Sequence, residues 1–236
     1  LAEDSPLSKD SRQSRLSQSA AGRQPLPRKF VENHQRQRVA IAIAEIAHER
    51  GVGELTATRI VRGARMSRNT FYELFGSKEE SLRYAFQEAF EYLFGSVRRV
   101  NDVNGPWLDR LQASLDAFFA AIVEDPVLAE LCLVHSFGAA VEAEGFDYEA
   151  GVTTMIDVMN GGREAGKAAA TDGHLEPPLQ VEEFLARSIV SLAATRVRKG
   201  EAERLPEHRD ELVRLAAIPF FGTEELVLLD PDPEAV

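Results

Sequence analysis

The stretch Leu55-Thr-Ala-Thr-Arg-Ile-Val-Arg-Gly-Ala-Arg-Met-Ser-Arg-Asn-Thr-Phe-Tyr-Glu-Leu-Phe-Gly-Ser-Lys-Glu-Glu80 decides how this chain folds. Hydroxyl side chains stand where helix starts need acceptors for unpaired N–H groups. Thr56 offers an N-cap for a short helix ending at Arg62 or Gly63. Ser67 caps a second over Arg68 to Leu74, and Ser77 with Glu80 forms the S-x-x-E capping box of a third. A short helix, a tight turn, another short helix and an immediately capped third are the layout of a DNA-reading unit. Ile60, Ala64, Met66, Phe71 and Phe75 supply its small core, which leaves Arg68, Asn69, Thr70 and Tyr72 to face outward. Near a helix N-terminus such side chains suit phosphates and base edges. The same geometry also occurs as plain packing, and Phe71 and Phe75 are core residues under either reading.

Upstream, Val39, Ala42, Ile43, Ile46 and Ala47 fall on one helical face, and Gly51 stops that helix. Downstream of Ser77, Leu82, Ala85, Phe86, Ala89, Leu93 and Val97 form one stripe of a long helix. Pro106 opens another, striped by Leu108, Leu111, Leu115, Phe118, Phe119 and Ile122, and Asp125-Pro126 starts the next. Helical segments follow at roughly 126–142, 147–165, 179–199 and 207–221. Nothing alternates with the period of a strand, so the expected class is all-α. Residues 1–30, rich in serine, proline and basic side chains, read as a disordered tail, and 226–236 as an acidic one. Arg12, Arg15, Arg23, Arg28 and Lys29 leave two readings of the first tail: a basic arm for a DNA groove, or a solvated terminus.

A hydrophobic content of 44% over 236 residues is enough for a sizeable core. No run approaches the ~18 apolar residues of a membrane span, and the first residues lack a signal-peptide pattern. Cys132 is the single cysteine. A cytoplasmic protein with no membrane partner is the expectation. The net charge of −11 argues against nucleic acid until it is divided. Residues 1–78 hold 14 Lys/Arg and 8 Asp/Glu, whereas 79–236 hold 13 and 30. A basic head on an acidic body favours one docking orientation on a polyanion; chance segregation on a solvated surface is the plainer account.

The segment of roughly residues 36–85 resembles the TetR/AcrR family of transcriptional regulators. The likeness runs through Gly51, Thr56, Ile60, Ala64, Ser67, Thr70, Phe71, Tyr72, Phe75, Ser77, Lys78 and Glu79 with spacing intact. The resemblance implies an N-terminal three-helix helix-turn-helix domain, residues 31–78, followed by a larger helical ligand-binding and dimerisation domain, residues 79–225. It implies phosphate contacts from Thr56, Thr70, Tyr72 and Lys78. Arg68 and Asn69 would probe the major groove, where Arg pairs with guanine and Asn with adenine. Ser67 would cap first and contact phosphate second. Two positions depart from the family pattern: Arg65 stands where the turn usually has glycine, and Asn69 where the recognition helix commonly does. If the turn needs positive φ, Arg65 carries a steric cost.

Other chemistry is thin. Gly161-Gly-Arg-Glu-Ala-Gly-Lys167 fits G-x-x-x-x-G-K, but Ala168 stands where a phosphate loop needs Ser or Thr. The preceding residues read as helix rather than strand, so the motif is taken as a helix end. The five histidines show no metal-ligand spacing, and no G-x-S-x-G elbow exists. Cys132 and His135 share a helical face, either as a thiolate–imidazole pair or as two core-lining residues. Neither an enzyme nor a bound cofactor or metal is expected.

In the body, Trp107, Phe118, Phe119, His135, Phe137, Met155 and Met159 are candidates for an adaptable pocket for a small, largely apolar or amphipathic effector, and equally for an ordinary filled core. Leu185, Ile189, Leu192, Leu212 and Leu215 lie on the last two long helices, which in this family form a four-helix dimer interface; internal packing of a monomer is the alternative. The resulting expectation is a homodimeric, ligand-released repressor on palindromic, double-stranded operator DNA. The rival is a helical small-molecule-binding protein without DNA recognition.

Overall fold

The computed structural model describes residues 28–137, 149–170 and 176–227. Most of both expected tails, and residues 138–142 of the expected 126–142 helix, lie outside the described residues. The chain divides into two units, residues 1–36 and 37–236. The first contributes the opening turns of a helix, Arg28–Arg50 (α1).

In the second unit Gly51, at φ 82°, ends α1 by donating to the Ala47 carbonyl at 2.8 Å. A single 3₁₀ turn, Val52–Glu54, leads to helices Ala57–Gly63 (α2), Arg68–Phe75 (α3) and Lys78–Asn101 (α4). Then come Trp107–Glu124 (α5), Pro126–Leu133 (α6), Glu149–Ala169 (α7), Val181–Arg198 (α8) and Arg209–Val227 (α9). All regular structure among the described residues is helical, so the chain is all-α, with a helix-turn-helix head followed by a larger helical body.

Hydroxyl and carboxylate caps set the helix starts, as the sequence pattern demands. Thr56 Oγ1 accepts the Arg59 N–H at 3.3 Å, and Ser67 Oγ the Thr70 N–H at 3.0 Å. Ser77 Oγ accepts the Glu80 N–H at 3.0 Å, and Asp125 Oδ1 the Leu128 N–H at 2.9 Å. Each such cap is worth ~1 kcal/mol. The capping box at Ser77 is half formed, because its own N–H donates to the Phe75 carbonyl at 2.7 Å. Pro106 is the N-cap of α5 rather than its first residue.

Two expectations about the body are corrected. Helix α6 stops at Leu133 and tightens into a 3₁₀ turn, His135–Phe137. The glycines of G-x-x-x-x-G-K do not end a helix but lie inside α7. They are packing residues: a Cβ on Gly162 would sit 2.6 Å from the Phe220 ring, and one on Gly166 would sit 2.1 Å from the Phe220 carbonyl oxygen. Only hydrogen at those positions lets α9 approach so closely. Around that contact α4 packs on α5, and α8 packs on both α6 and α7.

One core runs through the head and body of this unit. Val39, Ile43, Ile60, Phe71, Phe86, Leu93, Leu111, Phe118, Met155 and Val190 are all fully or almost fully buried. Phe75 on α3 meets Tyr84 on α4 with ring centroids 5.6 Å apart, which ties the second short helix to the long one. No helix among the described residues is long and apolar enough to cross a membrane.

Candidate nucleic-acid interface

The turn between α2 and α3 is built by backbone geometry. Arg65 adopts φ 51°, the left-handed conformation that glycine fills at lowest cost. Its N–H donates to the Arg62 carbonyl at 3.1 Å, and the Met66 N–H reaches back to the Val61 carbonyl at 3.2 Å. This bond pair is the Schellman closure of α2. Arg38 on α1 completes it by donating through Nη2 to the carbonyls of Ala64 and Arg65, the latter at 2.7 Å. The turn therefore keeps its geometry although arginine occupies its left-handed position.

Helix α3 then presents its polar face. Phe71 and Phe75 are buried and pair at 5.6 Å, while Arg68, Asn69 and Tyr72 are exposed. Ser67 Oγ lies 2.9 Å from Thr70 Oγ1 as well as capping the helix, so both hydroxyls cluster at its start. Thr56 is exposed at the start of α2. Lys78 opens α4, and its Nζ is 3.4 Å from Glu79 Oε1. All seven residues singled out from the sequence thus lie at the helix starts or on the open face of α3.

The sequence reading missed two further cations. Arg62 and Arg65 are exposed, and like Arg68 their side chains make no ion pair or hydrogen bond among the described residues. Arginines elsewhere are commonly matched: Arg163 with Glu182, Arg187 with Glu149, Arg196 with Glu201 and Arg209 with Asp116. Three guanidiniums flanking one turn make a local positive field that no ion pair among the described residues neutralises. The signal was present in the spacing, since Arg59, Arg62, Arg65 and Arg68 recur every third residue. Only Arg59 is paired, to Glu54.

Five of the seven body candidates are buried side chains. Trp107, Phe118, Phe119, Met155 and Met159 are each at most 4% exposed. Trp107 Nε1 donates to the Val158 carbonyl at 2.8 Å and its ring stacks on Phe221 at 5.9 Å, while Phe118 meets Phe94 at 5.3 Å. The Phe137 side chain lies outside the described set. His135 is half-buried with Nε2 3.5 Å from Glu130 Oε1, and Glu130 Oε2 is 2.5 Å from His48 Nδ1 of α1. Burial pushes the Cys132 thiol up to about 12, so it is not a poised nucleophile. Two buried hydroxyls that sequence reasoning did not pick out, Ser114 and Ser136, have no hydrogen-bond partner among the described residues.

Of the proposed interface residues, Ile189 is 3% exposed and packed within the protomer, and Leu185, Leu192 and Leu212 are partly buried. Among the described residues of these helices, the large apolar side chains open to solvent are Phe184, Leu215 and Ile218.

The described residues thus form an all-helical body carrying a basic helix-turn-helix. Residues 42–84 match the family model described as bacterial regulatory proteins, tetR family. Comparison with curated proteins returned no match. Among solved structures, a TetR-like transcriptional regulator from Rhodococcus sp. RHA1 is similar at 18% identity with a TM-score of 0.60, over 84% of this chain and 100% of that one. The fatty acid degradation regulator FadR from Bacillus halodurans is similar at 15% identity with a TM-score of 0.61, over 77% and 97%. FadR from Bacillus subtilis, in complex with stearoyl-CoA, is similar at 14% identity with a TM-score of 0.61, over 79% and 98%. At such identities the likeness is one of fold.

Proposed function

We propose that this protein is a ligand-responsive transcriptional repressor of the cytoplasm. Its homodimer binds a palindromic operator through two copies of the α2–α3 head, and a small, largely apolar effector releases it. The head spans residues 31–78 and the body 79–225.

The unmatched cluster of Arg62, Arg65 and Arg68 beside the capped start of α3 carries this reading. Arg68 and Asn69 have the donors to read base edges; Thr56, Ser67, Thr70, Tyr72 and Lys78 have the donors to hold phosphates. One short helix makes few contacts, and a two-fold pair spaced ~34–36 Å apart reads both halves of a palindrome. For the body, the stearoyl-CoA complex of the similar FadR favours a long apolar effector. The unpaired hydroxyls of Ser114 and Ser136 would serve its polar end, since buried polar groups otherwise find partners. The effector acts through its differential affinity for the DNA-competent and released states.

The test is a mobility shift with the DNA flanking the protein's own gene. Wild type should retard one flanking fragment, with affinity falling steeply as salt rises. Arg68→Ala and Tyr72→Phe should weaken the shift while leaving thermal unfolding unchanged. Binding indifferent to both substitutions would remove this assignment of the reading face.

A further inference from the structure

The turn residue Arg65 poses a physical question that the DNA-binding reading does not answer. Its φ of 51° is one that L-residues other than Asn, Asp and His seldom adopt, and it is the only non-glycine among the described residues with positive φ. Strain of this kind persists where the surroundings over-determine the conformation, and it concentrates at functional positions. Here the surroundings do over-determine it. The Schellman pair closes the turn on one side, and Arg38 grips the Ala64 and Arg65 carbonyls on the other. These contacts all use backbone atoms of residues 64–66, and glycine at 65 would preserve every one of them.

The Arg65 side chain therefore contributes nothing to the closure of its own turn. It is exposed, forms no ion pair or hydrogen bond among the described residues, and stands three residues from Arg62 and three from Arg68. Its main chain is fixed while its guanidinium is free. That combination fits a cation held ready for an external anion, because little backbone order remains to be lost on contact. The turn precedes α3 rather than forming part of its outward face, so the anion it fits is a backbone phosphate at the groove edge and not a base in the groove.

We infer that Arg65 is a phosphate-contacting residue of the reading head, kept in a glycine position at the expense of backbone strain. The inference rests on the DNA-binding reading above. It makes the turn an additional, sequence-independent source of affinity.

The experiment uses the full-length chain with two fluorescent duplexes of about 40 base pairs, one from the DNA flanking its gene and one of random sequence. Affinities are measured across a salt series for wild type, Arg65→Gly, Arg65→Asn and Arg65→Lys, alongside thermal unfolding. Arg65→Gly should unfold at the same or a higher temperature than wild type, yet bind both duplexes more weakly by a common factor. That factor is about eightfold per bound protomer at 0.1 M salt, with the slope of log affinity on log salt reduced by about 0.9. Arg65→Asn should behave alike, and Arg65→Lys should recover most of the affinity. Unchanged binding and slope in the glycine and asparagine variants would overturn the inference. So would a loss confined to the flanking duplex, which would mean base reading, or a loss that lysine does not rescue, which would mean a requirement of shape. If wild type itself binds neither duplex in a salt-dependent way, the DNA-binding reading fails first and this inference falls with it.

Discussion

Arg38 donates through its guanidinium to the carbonyl of Arg65 at 2.7 Å, across 27 residues of chain. The first helix of the head thereby holds the turn between the other two, and it does so where a helix C-terminus leaves carbonyls without partners. Arg38→Met keeps the apolar stem and removes the donors. We expect a loss of about 2 kcal/mol in unfolding free energy, in the range for hydrogen bonds from a charged donor. Urea titration at fixed protein concentration measures it, and an unchanged midpoint would show that water replaces the clamp at no cost.

A larger effect is expected on the glycine track of α7. Gly166→Ala places a methyl 2.1 Å from the Phe220 carbonyl oxygen, so α7 and α9 must move apart. Overpacking of this kind costs about 1–3 kcal/mol, more than the ~1 kcal/mol that alanine returns in helix propensity. Gly53→Ala, with open space around the new carbon, should stay within about 0.5 kcal/mol of wild type. Calorimetric midpoints for the two variants make the comparison, and equal midpoints would contradict the close approach.

Acid should weaken the fold through His135. Burial holds its imidazole below the ordinary value, opposed by Glu130 and assisted by the nearby His48. The native chain consequently binds fewer protons than the unfolded chain once pH falls below the unfolded value near 6.5. Stability then drops with pH until the folded group also protonates, by at most about 1.4 kcal/mol per pH unit for one proton. His135→Gln should flatten that part of the profile. Urea midpoints compared between pH 7.5 and 5.5 test the difference, and parallel profiles for wild type and variant would exclude His135 as a contributor.

The exposed apolar side chains of α8 and α9 set the expectation for self-association. Phe184 is 70% and Leu215 51% exposed, and covering them with a second copy would remove their apolar surface from water. Light scattering should report twice the monomer mass for wild type. Phe184→Glu combined with Leu215→Glu should return the monomer, because each buried carboxylate would lack a partner. A double variant that remained dimeric would move the interface elsewhere.

Local chemistry made the head legible in the sequence. Thr56, Ser67 and Ser77 cap the helices they were expected to cap, and the second short helix runs one residue past its expected end, to Phe75. The open polar face of α3 follows from the burial of Phe71 and Phe75 at helical spacing. What the sequence could not display was pairing at a distance. Arg38 meets a turn 26 residues away, and His48 meets Glu130 across 82. The early stop of α6 escaped for a related reason: the apolar run Leu131-Cys132-Leu133 is fully buried and carries no glycine or proline to signal the change. The glycines of α7 looked like punctuation because the aromatic ring they accommodate lies more than fifty residues further along the chain.

Helix α4 joins two regions of chemistry without a break. Its first turn is capped by Ser77, directly after α3, and its buried Phe94 packs in the body against Phe118. At 1.5 Å per residue its 24 residues form a rod about 36 Å long. Pivoting such a rod by 5° at its body end swings the opposite end through about 3 Å, comparable to a hydrogen-bond length. A small rotation in the body is thus a displacement of hydrogen-bond size at the far end of this lever.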